Sequence, residues 1–182
     1  MGNPVAVKGD ERRSAMVLDL NIKQKGLMGE NSVVTDEYGV VRYVVRGNVG
    51  IMSSTFRIFA GEDDSAPEVA VVQRRQSGLA PKLTITIDGR EATSIVAKTT
   101  FFTKRYLMEG VGLEAKGDWL NSDLTVTRDG ETVARARQRF LSAYDREVSV
   151  LDESVATIVV ALLVAIGAVD NDETAIMAAA AL

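Results

Sequence analysis

From Val155 to Val169 the chain reads VATIVVALLVAIGAV, with no ionisable side chain between Glu153 and Asp170. Its apolar residues occupy every angular position of a helix, and a helix apolar all round has to be enclosed by protein or by lipid. Spanning a bilayer takes roughly 20 apolar residues, whereas this run offers about 15, flanked by acids and without a Lys, Arg, Trp or Tyr anchor at either end. Protein is the expected wrapper, and the residues before the run have to supply a hollow of helix width.

Those residues read as antiparallel sheet. Between Ala15 and Val150 short alternating runs are separated by turn residues. Met16, Leu18, Leu20 and Ile22 alternate with Val17, Asp19 and Asn21. Asn31 to Thr35 and Val40 to Arg46 flank Asp36-Glu37-Tyr38-Gly39 as a hairpin. The unit returns with Thr55 to Ala60 and Glu68 to Arg74, with Lys82 to Asp88 and Ala92 to Lys98, and with a shorter pair, Lys104 to Met108 and Leu113 to Lys116. Asp123 to Arg128 and Glu131 to Gln138 flank Asp129-Gly130, a dipeptide that takes the primed turn matching strand twist. Tyr144 to Val150 is the last strand.

About a dozen strands are too many for one open sheet with two bare edges, and closing the sheet removes the edges. Roughly eight strands make a barrel that its own side chains just fill, so a ring of twelve needs a plug. The apolar run follows at once. The fold class predicted is therefore mainly β with one central helix: a closed antiparallel β-barrel of about twelve strands enclosing an apolar C-terminal α-helix. Ala134 and Ala136, on the strand face opposite Arg135, Arg137 and Arg139, leave room for it. Asp152 and Ser154 are the expected caps. Asp170, Asp172 and Glu173 oppose a helix C-terminus, so the enclosed rod, about 154–168, should finish near Gly167. The expected organisation is a loose arm over 1–14, one barrel domain over 15–169, and a tail over 170–182 with enough helical propensity for a short helix of its own.

Composition narrows the chemistry. The chain of 182 residues has no Cys and no His, which removes disulfides, thiolate and imidazole ligands, a Cys nucleophile and a Ser-His-Asp triad. Met1 to Ser14 holds no apolar segment of signal-peptide length. A cytoplasmic protein, peripheral at the membrane if it binds lipid, is the expectation. A net charge of -4 argues against a general nucleic-acid binder.

The succession LNIKQ (Leu20 to Gln24), VTDEYGVVRYVVRG (Val34 to Gly47), YLMEG (Tyr106 to Gly110), LTVTRDGETVAR (Leu124 to Arg135) and VATIVVALLVAI from Val155 resembles the LURP-one-related family. That family is a relative of the phospholipid scramblases and of the tubby C-terminal domain. The resemblance covers about residues 15 to 170 and implies a twelve-stranded barrel around a central C-terminal helix. It implies less about activity: relatives are associated with phosphoinositide binding, lipid scrambling or no assigned biochemistry. Scramblase-like features are missing from this chain, which has neither acylation cysteines nor a Pro-rich arm. Asp145, Glu147, Asp152 and Glu153 do not make a regular calcium loop, so no calcium site is carried over.

One set of residues is a candidate site. Arg135, Arg137 and Arg139 project to one strand face, and three guanidinium forks can grip phosphate oxygens. Acids on neighbouring strands would instead make them a solvated exterior. Arg74-Arg75, Lys104-Arg105 and Lys23 with Lys25 would widen the patch if the barrel gathers them. Glu62-Asp63-Asp64-Ser65 and Asp170-Asn171-Asp172-Glu173 are acidic but read as solvated turns, and Trp119 reads more readily as a core anchor than as a ligand contact. No catalytic constellation stands out, and neither a cofactor nor a metal is expected. The reading is a non-enzymatic binding module for an anionic ligand such as a phospholipid head group. The alternatives are a structural or protein-interaction scaffold and a scramblase-like membrane protein.

Overall fold

A side-chain period of two sends alternate residues to opposite faces of a strand, and in this chain one face is consistently apolar. The computed structural model describes residues 17–25, 30–50, 52–77, 80–99, 103–118, 123–138 and 145–180. In chain order the strands are β1 (Leu18–Lys25), β2 (Asn31–Asp36), β3 (Val41–Val49), β4 (Ser53–Phe59), β5 (Glu68–Ser77) and β6 (Ala80–Ile87). They continue as β7 (Arg90–Thr99), β8 (Thr103–Glu109), β9 (Leu113–Asp118), β10 (Asp123–Arg128), β11 (Glu131–Gln138) and β12 (Arg146–Val150). Each strand pairs antiparallel with its neighbours in sequence, and β1 pairs with β12, so the sheet closes into a twelve-stranded barrel as the alternation predicts.

The even strand number decides where the helix goes. Strand β1 starts at one end of the barrel, here called the lower end, and twelve traversals return the chain there after Val150. A single 3-10 turn, Glu153–Val155, then leads into α1 (Ala156–Ala180), which passes back through the interior to the upper end. Asp152 caps this entry. Its Oδ1 accepts from the Ser154 backbone N–H at 3.0 Å and from the Ser154 hydroxyl at 2.6 Å, and its Oδ2 accepts from Arg128 at 3.1 Å. The hydroxyl, then the N–H and the Arg128 charge hold this carboxyl below the usual aspartate range. The cap therefore stabilises the fold above the ordinary aspartate pKa and loses that contribution as pH falls through the lowered value.

Val155 through Ile166 forms one core with the inward strand residues. Val159, Val160, Leu162 and Leu163 meet Leu20, Ile22, Val34, Val45, Phe56 and Ile58 within it, along with others from every remaining strand. The enclosed stretch stays buried as far as Gly167, Ala168 is half-buried, and the backbone remains helical to Ala180. The helix runs closest to β5, β6 and β4, where β5 presents the short Ala70 and Val72. On the other side Tyr106, Met108 and Leu124 reach inward to fill the wider gap. Ala134 and Ala136 are buried as expected, while Arg135 and Arg137 are exposed. Thr157, the one hydroxyl within the apolar run, is paired with the Tyr43 hydroxyl at 3.3 Å.

At the lower end the hairpins turn on the dipeptides seen in the sequence. Asp88-Gly89 and Asp129-Gly130 both have positive φ at both positions, as a primed turn requires. Gly47, in β3, answers a different demand. A Cβ there would lie 2.4 Å from the Glu30 carbonyl oxygen and 2.8 Å from two ring carbons of Phe56. Gly47→Ala should therefore lower stability by about 1–3 kcal/mol through overpacking; a urea midpoint unchanged from the parent would contradict this close approach.

Candidate functional site

Strand register, which hairpin patterns alone do not supply across the upper connections, decides which basic residues meet. Arg135 in β11 faces Thr125 in β10, Thr125 faces Lys116 in β9, and Lys116 faces Arg105 in β8. Arg105, Lys116 and Arg135 are all exposed. They form one outward row across four strands. With neighbouring strands about 4.8 Å apart, the row from Arg105 to Arg135 spans roughly 15 Å.

The row is incompletely neutralised. Arg105 makes a two-pronged pair with Glu114, Nε to Oε1 at 2.6 Å and one terminal nitrogen to Oε2 at 2.7 Å. Those hydrogen bonds hold the Glu114 carboxyl below the usual glutamate range and raise the guanidinium in turn. On the other side of Arg135 the register places Ser149, whose hydroxyl donates to Asp19 at 2.5 Å. Neither Arg135 nor Lys116 has an ion pair of 4.0 Å or less among the described residues.

Of the three arginines singled out in the sequence, Arg135 joins this row, Arg137 belongs to the next, and Arg139 lies outside the described residues. Arg137 is paired with Asp123 at 3.3 Å and faces Glu147 on β12. Its row is acidic, and Asp118 follows Asp123 by register. The wider candidates also divide. Arg105 is in the basic row. Arg75 is exposed on β5, six places from β11 in the ring of twelve and so on the opposite wall. Arg74 turns inward between Ser54 and Leu83, where it is 6% exposed. Lys23 and Lys25 stand at the upper end of β1.

Lys116 carried no signal of its own in the sequence. It sits in the short pair around Gly110 and Gly112, and only the β9–β10 register brings it toward Arg135. The acidic loop after β4 is held by its own backbone and by β3: Asp63 accepts from the Ser65 backbone N–H at 2.9 Å, and Asp64 pairs with Arg46 of β3 at 3.3 Å. Among the described residues no group of three or more acidic side chains is placed to hold a metal ion, and no helix is long and apolar enough to cross a membrane. Trp119 lies outside the described residues, as do the side chains of Asp170 to Glu173.

A sequence model of the LURP-one-related family matches residues 18–167. An X-ray structure of a protein from Arabidopsis thaliana is similar with a TM-score of 0.55 and 18% sequence identity, over 82% of this chain and 91% of that chain. At that identity the likeness concerns the fold alone. No curated protein matches the chain.

Proposed function

Because this chain belongs to the LURP-one-related family, we propose that its barrel serves as a non-enzymatic binding module whose exterior holds an anionic ligand, such as a phospholipid head group. The observation that supports the reading is the outward row of Arg105, Lys116 and Arg135. Two guanidinium forks flanking an ammonium suit phosphate oxygens, since Arg binds them bidentately and Lys as a mobile point charge. Within this reading the protein works in the cytoplasm, peripheral at the membrane, where the inner leaflet supplies anionic lipid.

Vesicles of phosphatidylcholine with phosphatidylserine test it. The chain should co-sediment with them at low salt and be released as salt rises, because exposed charges are screened within about 10 Å at 0.1 M. Arg135→Glu with Lys116→Glu should weaken retention by more than about 25-fold, since removing the two basic residues alone costs roughly five-fold each. Glu114→Gln should act in the other direction, since it releases Arg105 from its carboxylate. Retention indifferent to all three changes would remove the proposal.

A scaffold reading has its own support in the ion pairs Arg137–Asp123 and Arg57–Glu68, which treat the exterior as a neutralised surface. That reading expects protein capture without any preference for lipid.

A further inference from the structure

Charge on this barrel is sorted by height. The lower end holds the turns with Asp36, Glu37, Asp64, Asp88 and Asp129, together with Glu153 at the helix entry. Arg42, Arg46, Arg57, Arg90 and Arg128 are the described bases of that half, and four of them have acidic partners within 4.0 Å. In the upper half Lys23 and Lys25 stand on β1, Arg75 on β5 and Lys82 on β6, and the row from Arg105 to Arg135 completes the circuit. Acids are present there too: Glu30, Asp118, Asp123, Asp145 and Glu147 on the barrel, with Asp170, Asp172 and Glu173 on the departing helix. Lys98, Lys104, Arg137 and Arg146 also lie in the strands of this half, and with them the bases outnumber the acids.

Two like-charged pairs show the contrast. Arg46 and Arg57 face each other between β3 and β4, and each has an acid of its own, Asp64 at 3.3 Å and Glu68 at 2.7 Å. Arg75 and Lys82 face each other between β5 and β6, both exposed, and neither has an ion pair among the described residues. Like charges directly opposite on adjacent strands destabilise a sheet. The fold bears that cost at the upper rim, on the wall away from Arg135.

From this sorting we infer that the upper end of the barrel docks end-on against an anionic lipid bilayer, with the acidic lower end turned away. The inference rests on the anion-binding reading above and extends it from one wall to the whole rim. A molecule of net charge -4 is repelled by such a surface unless it approaches in one orientation. The barrel is tall enough for orientation to matter: an eight-residue strand such as β6 rises about 26 Å along its own axis and roughly 20 Å along a tilted barrel. That exceeds the screening length of about 10 Å, so the bilayer senses the near end alone. Met52, exposed to 67% beside the first residue of β4, adds an apolar contact at this end.

The two walls are tested separately on the full chain, with vesicles of phosphatidylcholine containing phosphatidylserine. Arg75→Glu with Lys82→Glu should weaken retention by more than about 25-fold, as Arg135→Glu with Lys116→Glu does. The milder Arg75→Gln with Lys82→Gln should weaken it less, in the same direction. Arg90→Glu at the lower end should leave it unchanged. Full retention of both Arg75/Lys82 double variants, combined with loss in the Arg135/Lys116 variant, would leave a local anion site and overturn end-on docking. Failure of the unaltered chain to bind would remove both readings.

Discussion

A chain ended at Leu151 should show no cooperative unfolding transition and should collect in insoluble form. It retains all twelve strands and loses the rod they enclose. Fully burying an aliphatic side chain of the size of Val159, Val160, Leu162, Leu163 or Ile166 contributes about 1.5–3 kcal/mol, so these five alone are worth roughly 8–15 kcal/mol. That equals the whole net stability of an ordinary domain, about 5–15 kcal/mol. The inward faces of Leu20, Ile58, Val72 and Ile85, each at most 1% exposed in the intact fold, would then line an open, wettable hollow. A truncated chain that stays soluble and melts sharply by near-UV circular dichroism would show that something other than the helix fills the barrel.

The second large effect needs only one side chain. Leu162 is 0% exposed and is held by a barrel wall that its own hydrogen bonds keep from collapsing inward. Leu162→Ala should cost about 3 kcal/mol, within the range of roughly 2–5 for such truncations, and lower the midpoint of thermal unfolding by about 6–12 °C. Tyr38→Ala, at the tip of the β2–β3 turn where the ring is 83% exposed, should stay within about 0.5 kcal/mol. Urea titration of the two variants beside the parent measures the difference, and equal midpoints would contradict the central position of the helix.

Much of this architecture was legible in the residues because it depends on short-range pattern. Leu83, Ile85 and Ile87 alternating with Thr84 and Thr86 specify a strand with two unlike faces, and Asp88-Gly89 specifies the turn after it reaches the rim. Closure followed from a count of strands combined with a helix too apolar to be left outside. What the residues could not disclose was the register across the upper connections. Hairpins joined by Asp-Gly set their own pairing, whereas the sequence between β9 and β10, Trp119-Leu120-Asn121-Ser122, contains no such dipeptide, and their pairing places Lys116 in the row with Arg135. The same gap explains Arg137. Nothing near it in sequence marks Asp123, fourteen residues earlier, as its partner, and yet that pairing divides the predicted arginine ladder into one neutralised and one open position. Arg74 and Arg75 are adjacent in sequence, and strand pleating turned one into the core and the other to the rim.

The seam between β1 and β12 also constrains how the protein is made. Ser149 donates to Asp19 across a sequence separation of 130 residues, so a ribosome adding about 5–20 residues per second holds an unzipped sheet for roughly 10 s before the last strand emerges. The plug emerges later still, and a ring already sealed would shut it out. Nascent chains should therefore expose sticky edges to chaperones until release, and barrel and rod should then assemble in a single slow step dominated by distant contacts.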